Sequence, residues 1–217
     1  LIGRKQTVPM HRQEIKLYPS FDLGRAARMT PGFSVADLAN VMNESALLAS
    51  RRHGDSFNMD DFEFAVERIV AGLEKKTRVM NEKERTAVAY HESGHALIGE
   101  IVPNGDPVAK VSIVPRGRGA LGYTMQMPTE DRYLMTQSEL EDKRAVLLGG
   151  RAAESIVFNE ISTGAADDIK KATELARRMV TEFGMSEKLG VVRYATPQYQ
   201  FLESYETAAV ASPETLK

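Results

Sequence analysis

Two histidines four residues apart, with a glutamate directly after the first, stand in the stretch "VAYHESGHALIGE", residues 88–100. Positions four apart on a helix lie within about 40° of each other, one turn up. The imidazoles of His91 and His95 can therefore converge on one ion at roughly 2.0–2.1 Å. Glu92 sits on the neighbouring flank, where it reaches a water on the same ion without being a ligand. Zinc lowers the pKa of a bound water towards neutral; Glu92 then takes the proton as general base and passes it to a leaving amine. The pattern points to metal-assisted hydrolysis of a peptide bond. Gly94, inside the same helix, costs about 1 kcal/mol relative to alanine, so close packing or access to the ion must account for it. The competing reading is a plain helix that carries two of the chain's four histidines by chance.

A catalytic zinc takes three protein ligands and leaves one position for water. The extended metzincin pattern H-E-x-x-H-x-x-G-x-x-H is excluded, because "ALIGEIV" after His95 has Gly99 one place late and no histidine. His11 and His53 lie in the other half of the chain and read as surface or capping residues. Carboxylates remain: Glu154, Asp167 and Asp168. In "DDIKKATELARRMVTEF" the apolar positions Ile169, Ala172, Leu175, Ala176, Met179, Val180 and Phe183 mark one helical face. At about 100° per residue its mean direction lies about 60° from Asp168 and about 160° from Asp167. Asp168 therefore points inward and Asp167 to solvent. A buried carboxylate is costly unless paired or bound to a metal; an ion pair with Arg151 is the other use for Asp168. The phase of Glu154 is uninformative, and it is a candidate for orienting a ligand histidine.

The elements that must position these residues fall into two regions. Residues 1–33 are poorly periodic, with one short helix around 21–28. Ser34 and Asp37 form a capping-box pattern that opens a helix to about residue 52. Asn58 caps another, in which Phe62, Ala65, Val66, Ile69 and Val70 share a face and Gly72 follows. Residues 1–72 thus read as a small helical unit, 73–80 as a charged connector and 81–217 as a second unit. There "NEKE" gives an acidic first turn to the helix of His91. "VAKVSIV" reads as a strand, and "LGYTMQM" alternates with the period of a half-buried strand. Thr136 and Glu139 cap a helix that Gly149–Gly150 interrupt or end, and a further helix follows through 151–158. A long helix runs from about 164 to 183, with Gly184 just past its end, and the tail after about 196 reads as weakly ordered. The fold class is mainly α with a small β-sheet (α+β).

Composition sets the limits. The 217 residues are 42% hydrophobic and 27% charged, as in ordinary globular proteins. A net charge of -2 gives no reason to expect nucleic acid as a partner. The absence of cysteine excludes disulfides, cysteine-ligated zinc and a thiol nucleophile. No apolar run is long enough to span a membrane. The start lacks an initiator methionine, and the chain reads as a fragment of something longer.

"AYHESGHALIG", "VSIVPRGRGALGYTMQMP", "LLGGRAAESIVF" and "STGAADDIKKATELARRMVTEFGMSEKLG" together closely resemble the FtsH family, the membrane-anchored ATP-dependent zinc metalloproteases. "MTPGFSVADLANVMNESALLASRR" is similar to the helical small (lid) subdomain of that family's AAA+ module. The resemblance implies one zinc held by His91, His95 and the aspartate of the T-G-A-x-x-D segment, which is Asp168, with Glu92 as the catalytic residue. It also implies that unfolded substrate adds as an extra strand beside "GALGYT". For the full-length parent it implies a homo-hexameric ring that uses ATP and Mg2+ and degrades unfolded, damaged or membrane proteins processively. Such a parent is membrane-anchored, in the bacterial inner membrane with this part on the cytoplasmic side, or in an organelle membrane. Two positions depart from the pattern: Ser93 stands for the common alanine, and Val35 for a usual glycine near the nucleotide. No G-x-x-x-x-G-K-[ST] occurs, so this chain by itself is expected neither to hydrolyse ATP nor to unfold substrates. The alternative function is a non-catalytic ring-assembly module with a vestigial peptidase site.

Overall fold

The computed structural model describes residues 17–73, 80–116, 121–128 and 134–194. His11, the tail after residue 196 and most of the connector lie outside these residues. Among the described residues the chain is helical apart from one hairpin and an isolated bridge, Leu17 to Phe57.

In the first region, α1 (Leu23–Arg28) is short and capped by Asp22, whose side chain accepts from the amides of Gly24 and Arg25. Helix α2 (Val35–Arg51) opens with the Ser34–Asp37 capping box, and α3 (Met59–Ala71) with a second, Asn58–Asp61. Each box satisfies amides that a helix start leaves without partners. Helix α3 ends at Gly72, whose φ of 87° is one that a side chain would strain. The apolar faces close on Phe57, Phe62, Leu38, Met42, Val41 and Val66, all fully buried. Phe21 packs edge-on against both Phe57 and Phe62, with ring centroids 5.4 Å apart in each case.

The second region is built on two long helices. Helix α4 (Glu82–Ile101) starts at an Asn81–Glu84 capping box. Helix α5 (Gln137–Phe158) starts at Thr136–Glu139 and ends at Asn159 in the left-handed conformation. The break expected at Gly149–Gly150 does not occur: α5 is continuous through both. Their role is proximity, not termination. A Cβ on Gly94 would lie 2.4 Å from the Gly149 carbonyl oxygen, and one on Gly149 would lie 2.6 Å from that of Gly94. The backbones of α4 and α5 touch where both lack side chains, which also accounts for Gly94. Tyr90 and Phe158 close the far end of this contact edge-on, with centroids 5.5 Å apart.

Between α4 and α5, β1 (Val108–Ser112) and β2 (Tyr123–Gln126) form an antiparallel hairpin with Val111 opposite Thr124 and Ser112 opposite Tyr123. Strand β1 is shorter than its apolar run. The side of β2 that meets α4 is the small polar one: Gly122 and Thr124 approach Glu92, and Gln126 approaches Gly99. Helix α6 (Ala166–Thr181) begins without a side-chain cap and carries Asp167 and Asp168 in its first turn.

Candidate metal centre and its base

His91 and His95 lie one turn apart on α4, both buried, and Asp168 comes from the start of α6. His91 Nε2 is 3.0 Å from His95 Nε2, and Asp168 Oδ2 is 3.3 Å from the first and 3.4 Å from the second. Three ligands at tetrahedral angles around zinc stand about 3.3 Å apart, so these separations fit that cage.

The outer ring atoms decide what the inner ones offer. His91 Nδ1 lies 2.8 Å from Glu154 Oε1, and His95 Nδ1 lies 2.7 Å from the Val146 carbonyl oxygen. Both partners only accept, so each Nδ1 carries a proton and donates it. In the neutral rings both Nε2 atoms then present lone pairs, facing each other and a carboxylate oxygen. Three acceptors with no donor among them repel unless a cation, or a proton in its place, sits between them. That donor set fits a divalent metal with nitrogen and oxygen ligands.

The titration shifts follow. The hydrogen bond that the protonated ring gives to Asp168, against burial, raises the pKa of His91. Burial lowers that of His95, but Asp168 and the Val146 carbonyl outweigh it and the net shift is upward. Burial pushes the Asp168 carboxyl up, yet the two histidines hold it far below its ordinary value. The group behaves as a cation-seeking cluster.

Glu154 is buried behind His91, on α5. Its Oε1 also accepts from Ser162 Oγ at 3.0 Å, and its Oε2 from the Ser162 amide at 2.9 Å. Burial alone would raise its pKa; the Ser162 amide and His91 overcome this and lower it. Arg151 Nη1 stands 3.9 Å from Glu154, not against Asp168. Gly150 faces the cage directly: a Cβ there would fall 2.5 Å from His91 Nε2 and 2.6 Å from His95 Nε2.

Glu92 is buried on the hairpin side of α4. Its Oε2 lies 3.0 Å from Thr124 Oγ1, a hydroxyl equally close to the Glu92 backbone carbonyl oxygen. Burial raises the Glu92 pKa, with Thr124 and the two histidines opposing. A carboxylate whose pKa is raised in this way is a better proton acceptor than an ordinary one. Asp167, by contrast, is exposed and pairs with Lys171 at 2.6 Å. His53 is exposed at the end of α2, with a φ of 59°.

The profile of peptidase family M41 matches residues 78–217, and that of the AAA+ lid domain matches residues 20–64. The chain belongs to the FtsH family, peptidase family M41. It is 57% identical over 192 residues to the ATP-dependent zinc metalloprotease FtsH of Syntrophobacter fumaroxidans, covering 88% of this chain and 30% of that protein. It is 57% identical over 194 residues to FtsH 4 of Synechocystis, covering 89% and 31%. It is 58% identical over 192 residues to FtsH of Pirellula staleyi, covering 88% and 27%. The chain thus spans about 30% of the length of the curated relatives it matches. This FtsH-family chain joins an AAA+ lid region to an M41 peptidase region, and no described helix is long and apolar enough to cross a membrane.

Sequence reasoning missed four groups at this site. Thr124 stands on the polar side of an alternating strand, with nothing nearby in sequence to point it at Glu92. Gly150 reads, from sequence, as punctuation. Ser162 stood in a loop before the T-G-A segment. The Val146 carbonyl, being backbone, left no mark in the residue types.

Proposed function

We propose that the chain is the lid-plus-peptidase part of a zinc endopeptidase, with one zinc per chain held by Nε2 of His91, Nε2 of His95 and a carboxylate oxygen of Asp168. When bound, zinc supplies an activated water and polarises the scissile carbonyl. Glu92 would accept a proton from the attacking water and return it to the departing amine. Thr124 holds the Glu92 carboxylate, and Glu154 and the Val146 carbonyl fix the tautomers of the two ligand rings. The observation that carries this reading is the convergence of three acceptors at zinc-ligand spacing, beside a buried carboxylate that is not one of them.

Residues 1–72 act as the lid unit, 73–80 as connector and 81–217 as the peptidase unit. Strand β2 offers an edge to which extended substrate adds by backbone pairing, which asks little of substrate sequence. The full-length protein, as a membrane-anchored homo-hexamer, couples this site to ATP and Mg2+ and degrades unfolded, damaged or membrane proteins.

Metal analysis should find about one zinc per chain. Glu92→Gln should keep the zinc while cleavage of unfolded casein falls by about 10²–10⁴-fold. Asp168→Ala should lose zinc. Cleavage by Glu92→Gln at the parent rate removes the general base from this reading, and no cleavage by the zinc-loaded parent returns the chain to the assembly-module alternative. Zinc unchanged in Asp168→Ala moves the third ligand elsewhere.

A further inference from the structure

One buried ion pair joins the two regions at the back of the hairpin. Glu67 on α3 and Arg116, just after β1, are 3% and 4% exposed, with Arg116 Nη2 3.0 Å from Glu67 Oε2. Lys110 on β1 bonds the other oxygen, Oε1. The Arg116 guanidinium also lies between two rings, 5.8 Å from the centroid of Phe64 on α3 and 5.5 Å from that of Tyr123 on β2. Burial, and then the Glu67 carboxylate, push the Tyr123 phenol up. The lid helix therefore grips the hairpin through Lys110 and Arg116, and Arg116 in turn lies over the Tyr123 ring.

Successive residues of a strand face opposite sides. Tyr123 faces this ion pair, and its neighbour Thr124 faces Glu92 at 3.0 Å. Gly122, on the Thr124 side, is so close that a Cβ would lie 2.8 Å from Glu92 Cγ. One short strand is thus fixed on one side by the lid and on the other touches the catalytic carboxylate. A buried ion pair is weak evidence for stability, because desolvation of both charges offsets their attraction; its best-attested use is to set register.

We propose that Glu67 and Arg116 are positioning residues for peptide hydrolysis: the lid helix, through them, holds strand β2 so that Thr124 keeps the Glu92 carboxylate in place. This rests on the assignment of Glu92 as base. The coupling runs through one contiguous set of contacts, from α3 through Arg116, Tyr123 and Thr124 to Glu92. Displacing the strand by about 1 Å takes the Thr124 hydroxyl out of hydrogen-bond range, and misplacement of that size costs up to about 10²-fold in rate.

The test uses the zinc-loaded full-length protein and a short flexible fluorogenic peptide whose cleavage needs no unfolding. Glu67→Gln and Arg116→Met, singly and together, should each lower kcat about tenfold, with KM within about twofold and zinc per chain unchanged. The pair should lose no more than the worse single change, since both break one contact. Thr124→Val, nearly isosteric, should reproduce the loss, Thr124→Ser should recover most of it, and Glu67→Gln/Thr124→Val should add little to Thr124→Val. A lowered Tm with unaltered kcat well below that Tm makes the ion pair merely structural and overturns the proposal. So does a parental kcat in Thr124→Val, or losses in Glu67→Gln and Thr124→Val that simply multiply. Glu92→Gln run alongside separates the failures: if it is inactive while Glu67→Gln and Arg116→Met are normal, the base stands and the positioning role falls.

Discussion

The lid region and the peptidase region are held together by different means. In the first, the six largest fully buried side chains are apolar, the smaller Thr30 and Ser45 donate to helix carbonyls, and two phenylalanines are clamped by a third. In the second, the buried set around the site is His91, Glu92, His95 and Glu154, while Leu97, Ile101, Ile156 and Ile161 are exposed. The first is an ordinary apolar core stabilised by burial. The second keeps polar groups at its centre by satisfying each with a named partner and by bringing two helix backbones together at glycines. A small polar centre of that kind contributes chemistry at the expense of stability and leaves part of its folding energy to the metal.

Four changes would break or sharpen this contrast. The largest effect is expected from Gly150→Val, which drives a side chain into the space between the two Nε2 atoms. Zinc content should fall close to zero while helical circular dichroism persists; retained zinc would mean that α5 moves aside freely and the close approach is incidental. Next comes Phe62→Ala, which empties the centre of the lid core. It should lower stability by about 3–5 kcal/mol in denaturant titration and leave zinc content unchanged at low denaturant. Loss of zinc in step with the lid would mean that the two regions fold as one unit.

A smaller effect separates the regions by pH. In the metal-free protein the folded pKa values of His91 and His95 are raised. Their contribution to stability is complete below the unfolded value of about 6.5 and is lost as pH rises through the folded values. The zinc-loaded protein needs both rings neutral, so its zinc is bound more firmly as pH rises and released in acid. Between about pH 6 and pH 8 the peptidase-region Tm should therefore fall in chelator and rise with zinc, while the lid-region transition stays level. Parallel slopes in the two preparations would contradict the cation-seeking cluster. The smallest effect is expected from Asp167→Asn, one residue from Asp168 but exposed and paired with Lys171. Stability should change by less than about 0.5 kcal/mol, and zinc not at all.

Much of the fold was legible because its signals are local. Capping boxes at Ser34, Asn58 and Thr136 and the apolar face of α3 depend on residues within one or two turns, so the types alone place the helices. The histidine pair was legible for the same reason, since His91 and His95 share one helix. Even the inward direction of Asp168 followed from helical phase, because the apolar positions around it fix which side faces the protein. Gly149 and Gly150 were misread because glycine carries two meanings, a helix end or a close approach. Only the presence of α4 against that face distinguishes them.

The amino-acid sequence by itself therefore determined where the main helices start, the histidine pair with its neighbouring carboxylate, and which of two adjacent aspartates turns inward. The tertiary structure alone decided that Asp168 arrives within 3.4 Å of both imidazoles, that Glu154 and Val146 set their tautomers, and that Thr124 meets Glu92. The reason is range. Phase and capping act over a few residues, whereas these contacts join positions from about thirty to almost eighty residues apart, and only the packing of α4, α5, α6 and the hairpin brings them together.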